Sequence, residues 1–509
     1  MRHLLSAHLV REKWFKINNM LAVRFCLLWL IVSLVPVYAA PGDSLDIDLG
    51  DLDALMIEKK RFFRFGAGGY VKNETAYRFD EPRSFTKIRN TLSLNMFADA
   101  GQFAHFYASG RAYYDPVYDL FNYETIAART RRDEKEPLVF IETLKNEEDN
   151  NVVELREFYL DLAMKNIDLR LGKQFVIWGV LEGIRIVDEI NPMDFRELIL
   201  LDLLDYRIPL WTAKANIYLW DNDLEFLWIP DLRFHKAAPS GSEWELFQVL
   251  EKTTVPDATN PLFSEYGAKI TRKLFDAVVS LSYFYTWDDY PTTFRVISQA
   301  RLRSPEPITE LAILPTYTRM GILGTTITKE VRGNILKGEF AFVHGKHFAI
   351  VDKDSDNDGF LDSDGEYKRN HLRWGLGYDF SLFGADFSPA IAQWVLLDYT
   401  PDILTDQFDT TLNLFVRKPM KRHSAVFTLL MLHLLNFKET YLKPKFTFNL
   451  NNNFQVATGM DIFTGVRTQF GRASSSVDPG GLIDVEQRAQ FLGNFKENDR
   501  VFVEFKYSF

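Results

Sequence analysis

The sequence predicts an all-β protein: a transmembrane antiparallel β-barrel of the outer-membrane type, with about 18 strands (16–20) and long extracellular loops. Three observations carry this. An apolar run at 25–37 follows Arg24 and precedes Val37-Tyr38-Ala39. Period-2 alternation then recurs, with no second long apolar run. The chain closes on RVFVEFKYSF.

The apolar run, with its basic flank and small-residue exit, has the form of a secretory signal peptide. It is shorter than the roughly 20 residues a spanning helix needs. Cleavage after Ala39 or Ala40 is expected, and an uncleaved N-terminal anchor is the alternative. The predicted organisation is therefore a signal peptide at 1–40, a periplasmic segment at 41–60 and a barrel at 61–509. The single cysteine, Cys26, lies in the signal. The mature chain then has no disulfide, thiolate metal site or thioether-linked haem.

Composition agrees. With 59 Lys+Arg against 69 Asp+Glu, the charge is -10. Residues 1–40 hold five basic residues and one acidic one, which leaves the remainder at 54 against 68, or -14. An acidic body argues against nucleic acid as a partner. Forty-seven per cent hydrophobic content excludes a disordered chain.

Alternating segments near 61–78, 86–98, 102–114, 152–164, 167–178, 210–220, 223–231, 264–273 and 276–287 form the first nine expected strands. The others fall near 317–330, 333–347, 369–383, 386–399, 408–418, 424–436, 440–450, 454–464 and 499–509. Even parity keeps both ends of the barrel on the periplasmic side. One hairpin fixes its own register. A two-residue turn at Lys165-Asn166 sets Met164 opposite Ile167, Leu162 opposite Leu169 and Leu160 opposite Leu171. The same register sets Asp161 against Arg170, Tyr159 against Gly172 and Glu157 against Gln174. One face is then wholly apolar and the other polar, as a barrel between lipid and lumen requires. Leu429–Leu435 is apolar on both faces except at His433. It lines a greasy part of the lumen or packs against an inserted loop.

Glu157, Asp161, Asp168 and Arg170 are the candidate lumen residues for selectivity. For Asp161 and Arg170 a bracing ion pair is a simpler reading than substrate contact. The terminal aromatics Phe505, Tyr507 and Phe509 resemble the assembly signal of bacterial outer-membrane barrels, which implies the barrel assembly machinery as a partner.

Two further segments stand out. Residues 179–209 are apolar for a loop, and free exposure of such a stretch is costly. It is expected to fold into the lumen and narrow it. Asn191-Pro192 suits a helix start, with Asp194 and Glu197 in the first turn. The candidate constriction residues are Trp178, Asp188, Asn191, Pro192, Asp194 and Arg196. The second is an acidic run whose Asp354, Asp356, Asp358, backbone of Phe360 and Asp362 follow the front half of an EF-hand-type loop. Position 12 is Gly365 rather than the bidentate Glu, so any calcium binding is weak. A solvated acidic loop is the alternative. No other cofactor is implied. No Gly-x-Ser-x-Gly, phosphate loop or dinucleotide fingerprint occurs, so an enzyme is not expected.

Gly172-Lys173-Gln174, Trp178-Gly179 and Asn191-Pro192-x-Asp194 resemble a Gram-negative outer-membrane family catalogued only as a domain of unknown function. An acid often follows Trp-Gly there; here Val180 does. There is a more distant likeness, in size and charged lumen, to alginate-exporting barrels. The resemblance implies company with RND-type exporters or periplasmic lipid carriers. The expected function is a porin-like channel of the outer membrane. The alternative is a partner-dependent outer-membrane component of lipid or polysaccharide export.

Overall fold

A computed structural model describes residues 63–81, 83–120, 151–202, 205–238, 243–244, 256–257, 260–297, 311–350, 363–420, 424–465 and 491–509. The expected signal peptide at 1–40, the expected periplasmic segment at 41–60 and the calcium candidates at 354–362 lie outside the described residues.

Eighteen antiparallel strands close into one barrel within 61–508. In chain order they begin with β1 (Phe63–Arg78), β2 (Ser84–Ala100), β3 (Ala104–Tyr114), β4 (Asn151–Met164), β5 (Ile167–Gln174) and β6 (Leu210–Leu219). Next come β7 (Asn222–Ile229), β8 (Glu265–Leu274) and β9 (Ala277–Trp287). A separate hairpin, β10 (Thr292–Ile297) and β11 (Leu311–Thr316), interrupts the wall. The wall resumes with β12 (Arg319–Val331), β13 (Asn334–Ala349), β14 (Glu366–Leu382), β15 (Ala385–Leu396) and β16 (Phe408–Met420). It ends with β17 (Ala425–Leu434), β18 (Glu439–Asn449), β19 (Phe454–Thr464) and β20 (Arg500–Ser508). Each strand pairs with its neighbours in sequence, β9 pairs with β12, and β20 pairs with β1. Closure leaves no unpaired edge, the condition for strands to stand in hydrocarbon.

The strand count and order agree with the sequence reading. The β10–β11 hairpin lies between the ninth and tenth expected strands, where the sequence predicts no strand. The β4–β5 register agrees from Met164↔Ile167 to Tyr159↔Gly172. The ladder ends at Phe158↔Lys173, so Glu157 and Gln174 do not pair. Gly172 stands at φ 133, and a Cβ there would lie 2.1 Å from the Phe158 carbonyl oxygen. Past that distortion Gln174 turns to β6, where its amide donates to the Thr212 carbonyl at 3.0 Å.

Outward positions are large and apolar all round the wall. Leu160, Leu171, Phe226, Trp228, Leu281, Leu323, Phe340, Leu376, Trp394, Phe446 and Phe505 are exposed. Water would oppose so much apolar surface, whereas lipid accepts it. The protein is an integral β-barrel of the outer membrane. Phe505, Tyr507 and Phe509 are all exposed.

The hydrophobic core lies inside. The stretch between β5 and β6 supplies Val176, Trp178, Leu181, Ile186, Val187 and Ile190, which pack against Leu227, Phe284, Ile322, Ala341, Val343 and Ala392 of the wall. A second cluster joins Leu198 and Leu200 to Trp244, Tyr441, Phe463, Leu492 and Phe495. Leu430, Leu432 and Leu434 pack against this second cluster. That decides between the two readings of the doubly apolar strand: it faces inserted loops.

Candidate functional site

The site is built around residues 175–208. Lumen-side glycines make room for this insert along one arc of the wall. A Cβ on Gly267 of β8 would come within 2.8 Å of the Trp178 ring. One on Gly324 of β12 would meet Val187 at 2.6 Å, and one on Gly375 of β14 would meet Ile186 at 2.4 Å. Glycine inside a strand marks close approach of another chain segment, and here the segment is the insert.

Within the insert the predicted residues act as internal braces. The Asn191 side chain accepts from the Val176 N–H and donates to the Ile208 carbonyl, each at 2.9 Å. The Pro192 carbonyl accepts from the Ile208 N–H at 2.8 Å. Asp188 accepts from the Trp178 N–H at 3.3 Å and pairs with Arg207 at 2.5 Å. The Trp178 indole N–H donates to Glu225 of β7 at 2.5 Å. Asp194 caps a single 3-10 turn, Phe195–Glu197, and grips the Arg196 guanidinium at 2.8 and 2.5 Å. The expected longer helix does not form, because Leu198 at φ 51 reverses the chain.

The wall holds the insert in two chemically distinct ways. On the β13–β14 side Glu339 is buried and accepts three backbone N–H groups. Those of Val180 and Leu181 reach Oε1, and that of Val187 reaches Oε2 at 3.1 Å. Nearby, Arg373 reaches Glu189 at 2.6 Å, and Arg185 lies 3.7 Å from the same carboxylate. Burial pushes the Glu189 pKa up, but Arg185 and Arg373 outweigh it and hold it down at about 2.

On the opposite side the contacts are ionic and reach β2, β3 and β18. Glu197 pairs with Lys87 at 3.0 Å and also with Arg89. Asp205 pairs with Arg111 at 3.1 Å. Lys443 donates to the Leu200 carbonyl at 2.5 Å. Burial opposes the charge on Glu197, yet Arg89 and Lys87 hold its pKa well below the carboxylate range. Bases thus stand on this wall and acids on the insert.

The predicted lumen residues sit apart from this crossing, near the short turns. Arg170 donates to both Asp161 oxygens, at 2.5 and 2.8 Å, and stacks 4.0 Å over the Tyr159 ring. The ion pair braces β4 against β5. Asp168 accepts from the Tyr218 hydroxyl at 2.9 Å. Glu157 lies opposite Ser109 on β3. Sequence reasoning missed Glu339, Arg373, Lys87, Arg89 and Arg111. The one available signal was glycine at the lumen positions Gly375 and Gly377.

The family described as a protein of unknown function (DUF1302) matches residues 74–227, which include the 172–194 motifs and the whole insert. No curated protein sequence matches. Among solved structures, Acinetobacter baumannii OccAB1 is 7% identical, with 87% of this chain and 96% of that chain covered and a TM-score of 0.44. Pseudomonas aeruginosa OccK8 (OprE) is 8% identical, with 87% and 98% covered and a TM-score of 0.43. Acinetobacter baumannii OccAB4 is 9% identical, with 88% and 98% covered and a TM-score of 0.45.

Proposed function

We propose that the protein is an outer-membrane channel whose path is narrowed by the inserted segment 175–208. One observation carries the reading: a single segment is fastened across the inside of a closed barrel, by Glu339 and Arg373 on one wall and by Lys87, Arg89 and Arg111 on the other. Solutes pass between the insert and the wall, on the side where ion pairs rather than packed side chains join the two. Asp161, Asp168 and Arg170 set charge preference nearer the short turns. The channel performs no chemistry on its cargo.

Planar-bilayer conductance of the refolded mature protein tests this, with and without deletion of residues 180–205. Steady conductance that rises on deletion is expected. A barrel that stays closed in both forms would overturn the channel reading.

The two apolar clusters favour a second reading. They pack apolar side chains of the insert against the wall at two separate places. On that reading the barrel opens only with a partner, such as an RND-type inner-membrane exporter or a periplasmic carrier, and moves a lipid or polysaccharide. It predicts negligible conductance in isolation and loss of an envelope lipid or polymer when the chain is absent.

A further inference from the structure

Three of the long connections bring aromatic rings together at the end of the barrel opposite the short turns. The insert contributes Phe195 and Tyr206, the stretch after β7 contributes Phe234 and His235, and the connection from β9 to β12 contributes Tyr290 and Tyr317. Phe195 lies parallel to Tyr290, with centroids 6.2 Å apart and planes at 17°. His235 stands edge-on between them, 5.1 Å from Phe195 and 4.5 Å from Tyr290. Tyr206 extends the row at 6.4 Å from Phe195. Phe234 and Tyr317 stack on each other at 11°. The Asp288 N–H donates to the Thr318 carbonyl at 2.8 Å, which ties the segment bearing Tyr290 to the one bearing Tyr317.

Two features set this cluster apart from ordinary core. The hydroxyls of Tyr206, Tyr290 and Tyr317 have no hydrogen-bond partner among the described residues. These phenols are open to solvent: Tyr206 and Tyr317 are partly buried and Tyr290 is exposed. Tyr290 remains 49% exposed. Beside it Lys236 is exposed and makes no ion pair with the described residues. Ring faces flanked by unpartnered hydroxyls and an ammonium suit a ligand with apolar C–H faces and a hydroxylated rim.

We propose that this aromatic cluster is a saccharide-binding site at the entrance to the channel, where sugar rings stack on Tyr290 and Phe195 and their hydroxyls meet the tyrosine phenols and Lys236. The proposal rests on the channel reading only for the word entrance; binding itself is independent of conductance.

The test is saturation-transfer NMR and titration calorimetry on the full-length mature barrel in detergent. The probes are maltohexaose, chitohexaose and hexagalacturonate, with benzoate and sorbitol as controls. Saturable binding of at least one oligosaccharide is expected. Tyr290→Ala should weaken it roughly tenfold, and Tyr290→Phe, which keeps the ring, should weaken it less. Heat-modifiable gel mobility reports that each variant is folded. Binding of benzoate alone, binding of no oligosaccharide, or binding indifferent to Tyr290→Ala would overturn the site. A conducting barrel that binds no sugar would overturn this proposal and leave the channel standing. A sugar-binding barrel without conductance would do the reverse.

Discussion

Glu339→Ala should release the anchored half of the insert, and the structure sets the size of the effect. The Glu339 carboxylate serves three N–H groups, those of Val180, Leu181 and Val187. Each donor left unpaired in a buried site costs about 1–3 kcal/mol. Removal of a buried charge works in the opposite direction, and water entering the vacated space recovers part of the loss. A net cost of about 3 kcal/mol for the three together follows, or roughly a hundredfold shift in local opening. Glu339→Gln separates the contributions. Its remaining oxygen can still accept from Val180 and Leu181, while its amide faces the Val187 N–H and loses that bond. One bond is worth about 1 kcal/mol, roughly a fivefold shift. Amide hydrogen exchange at 180, 181 and 187 reads both variants directly. Protection of these amides in Glu339→Ala equal to that of the wild type would refute the reasoning, because the carboxylate would then not be what holds this turn.

Glu197→Gln leaves Lys87 and Arg89 without their shared anion on the insert. Lys87 keeps Glu74 and Arg89 keeps Asp115, so the loss is partial, about 1–3 kcal/mol, and single-channel recordings should show more frequent openings. Gly375→Val puts a side chain where Ile186 and Leu181 already stand. Overpacking of about 1–3 kcal/mol should appear as a lower temperature of the heat-modifiable gel shift. Glu189 has a folded pKa of about 2, below its ordinary value of 4.5. Its stabilisation is present above pH 4.5 and is lost as pH falls toward 2, so protease resistance of the insert should decline across that window. For the acidic run at 354–362, millimolar calcium should slow proteolytic cleavage within the loop. Asp354→Asn with Asp356→Asn should abolish that protection, and a wild-type chain indifferent to calcium would exclude the site.

Strands were legible because each is its own pattern. In β4–β5 a single turn position satisfied both the Leu face and the Asp161–Arg170 face, and the observed register follows it. The β10–β11 hairpin was not legible. Its strands are six residues each and lie beside Pro291 and around Pro315, which weaken an alternation signal. Most insert residues could be named, because Trp178, Asp188, Asn191 and Asp194 form a compact local motif. Their partners could not. Glu339 stands more than 150 residues from Val180, and nothing local separates it from any other inward-facing carboxylate. The lumen glycines carried that information in part. Gly375 and Gly377 alternate with Trp374, Leu376 and Tyr378, so the wall was marked as receiving something without naming it.

The two ends of the insert differ in how they can move. Within 176–190, Val176, Trp178, Leu181, Ile186, Val187 and Ile190 are buried against the wall, and Trp178, Val187 and Ile186 occupy the spaces left by Gly267, Gly324 and Gly375. Close packing of that kind holds one arrangement and resists partial displacement. Residues 194–205 are held to β2 and β3 mainly by ion pairs, and also by the Leu198–Leu200 cluster against β18 and β19. Ion pairs can be exchanged for other ions at modest cost, whereas a methyl group seated over a glycine has no such substitute. Any opening that leaves the barrel intact therefore begins at Glu197 and Asp205 and swings about the fixed end near Asn191 and Pro192. A cross-link between the insert and β2 should then close the channel, and one between the insert and β14 should leave conductance unchanged. If both cross-links close it equally, the insert moves as one body and this division of labour is wrong.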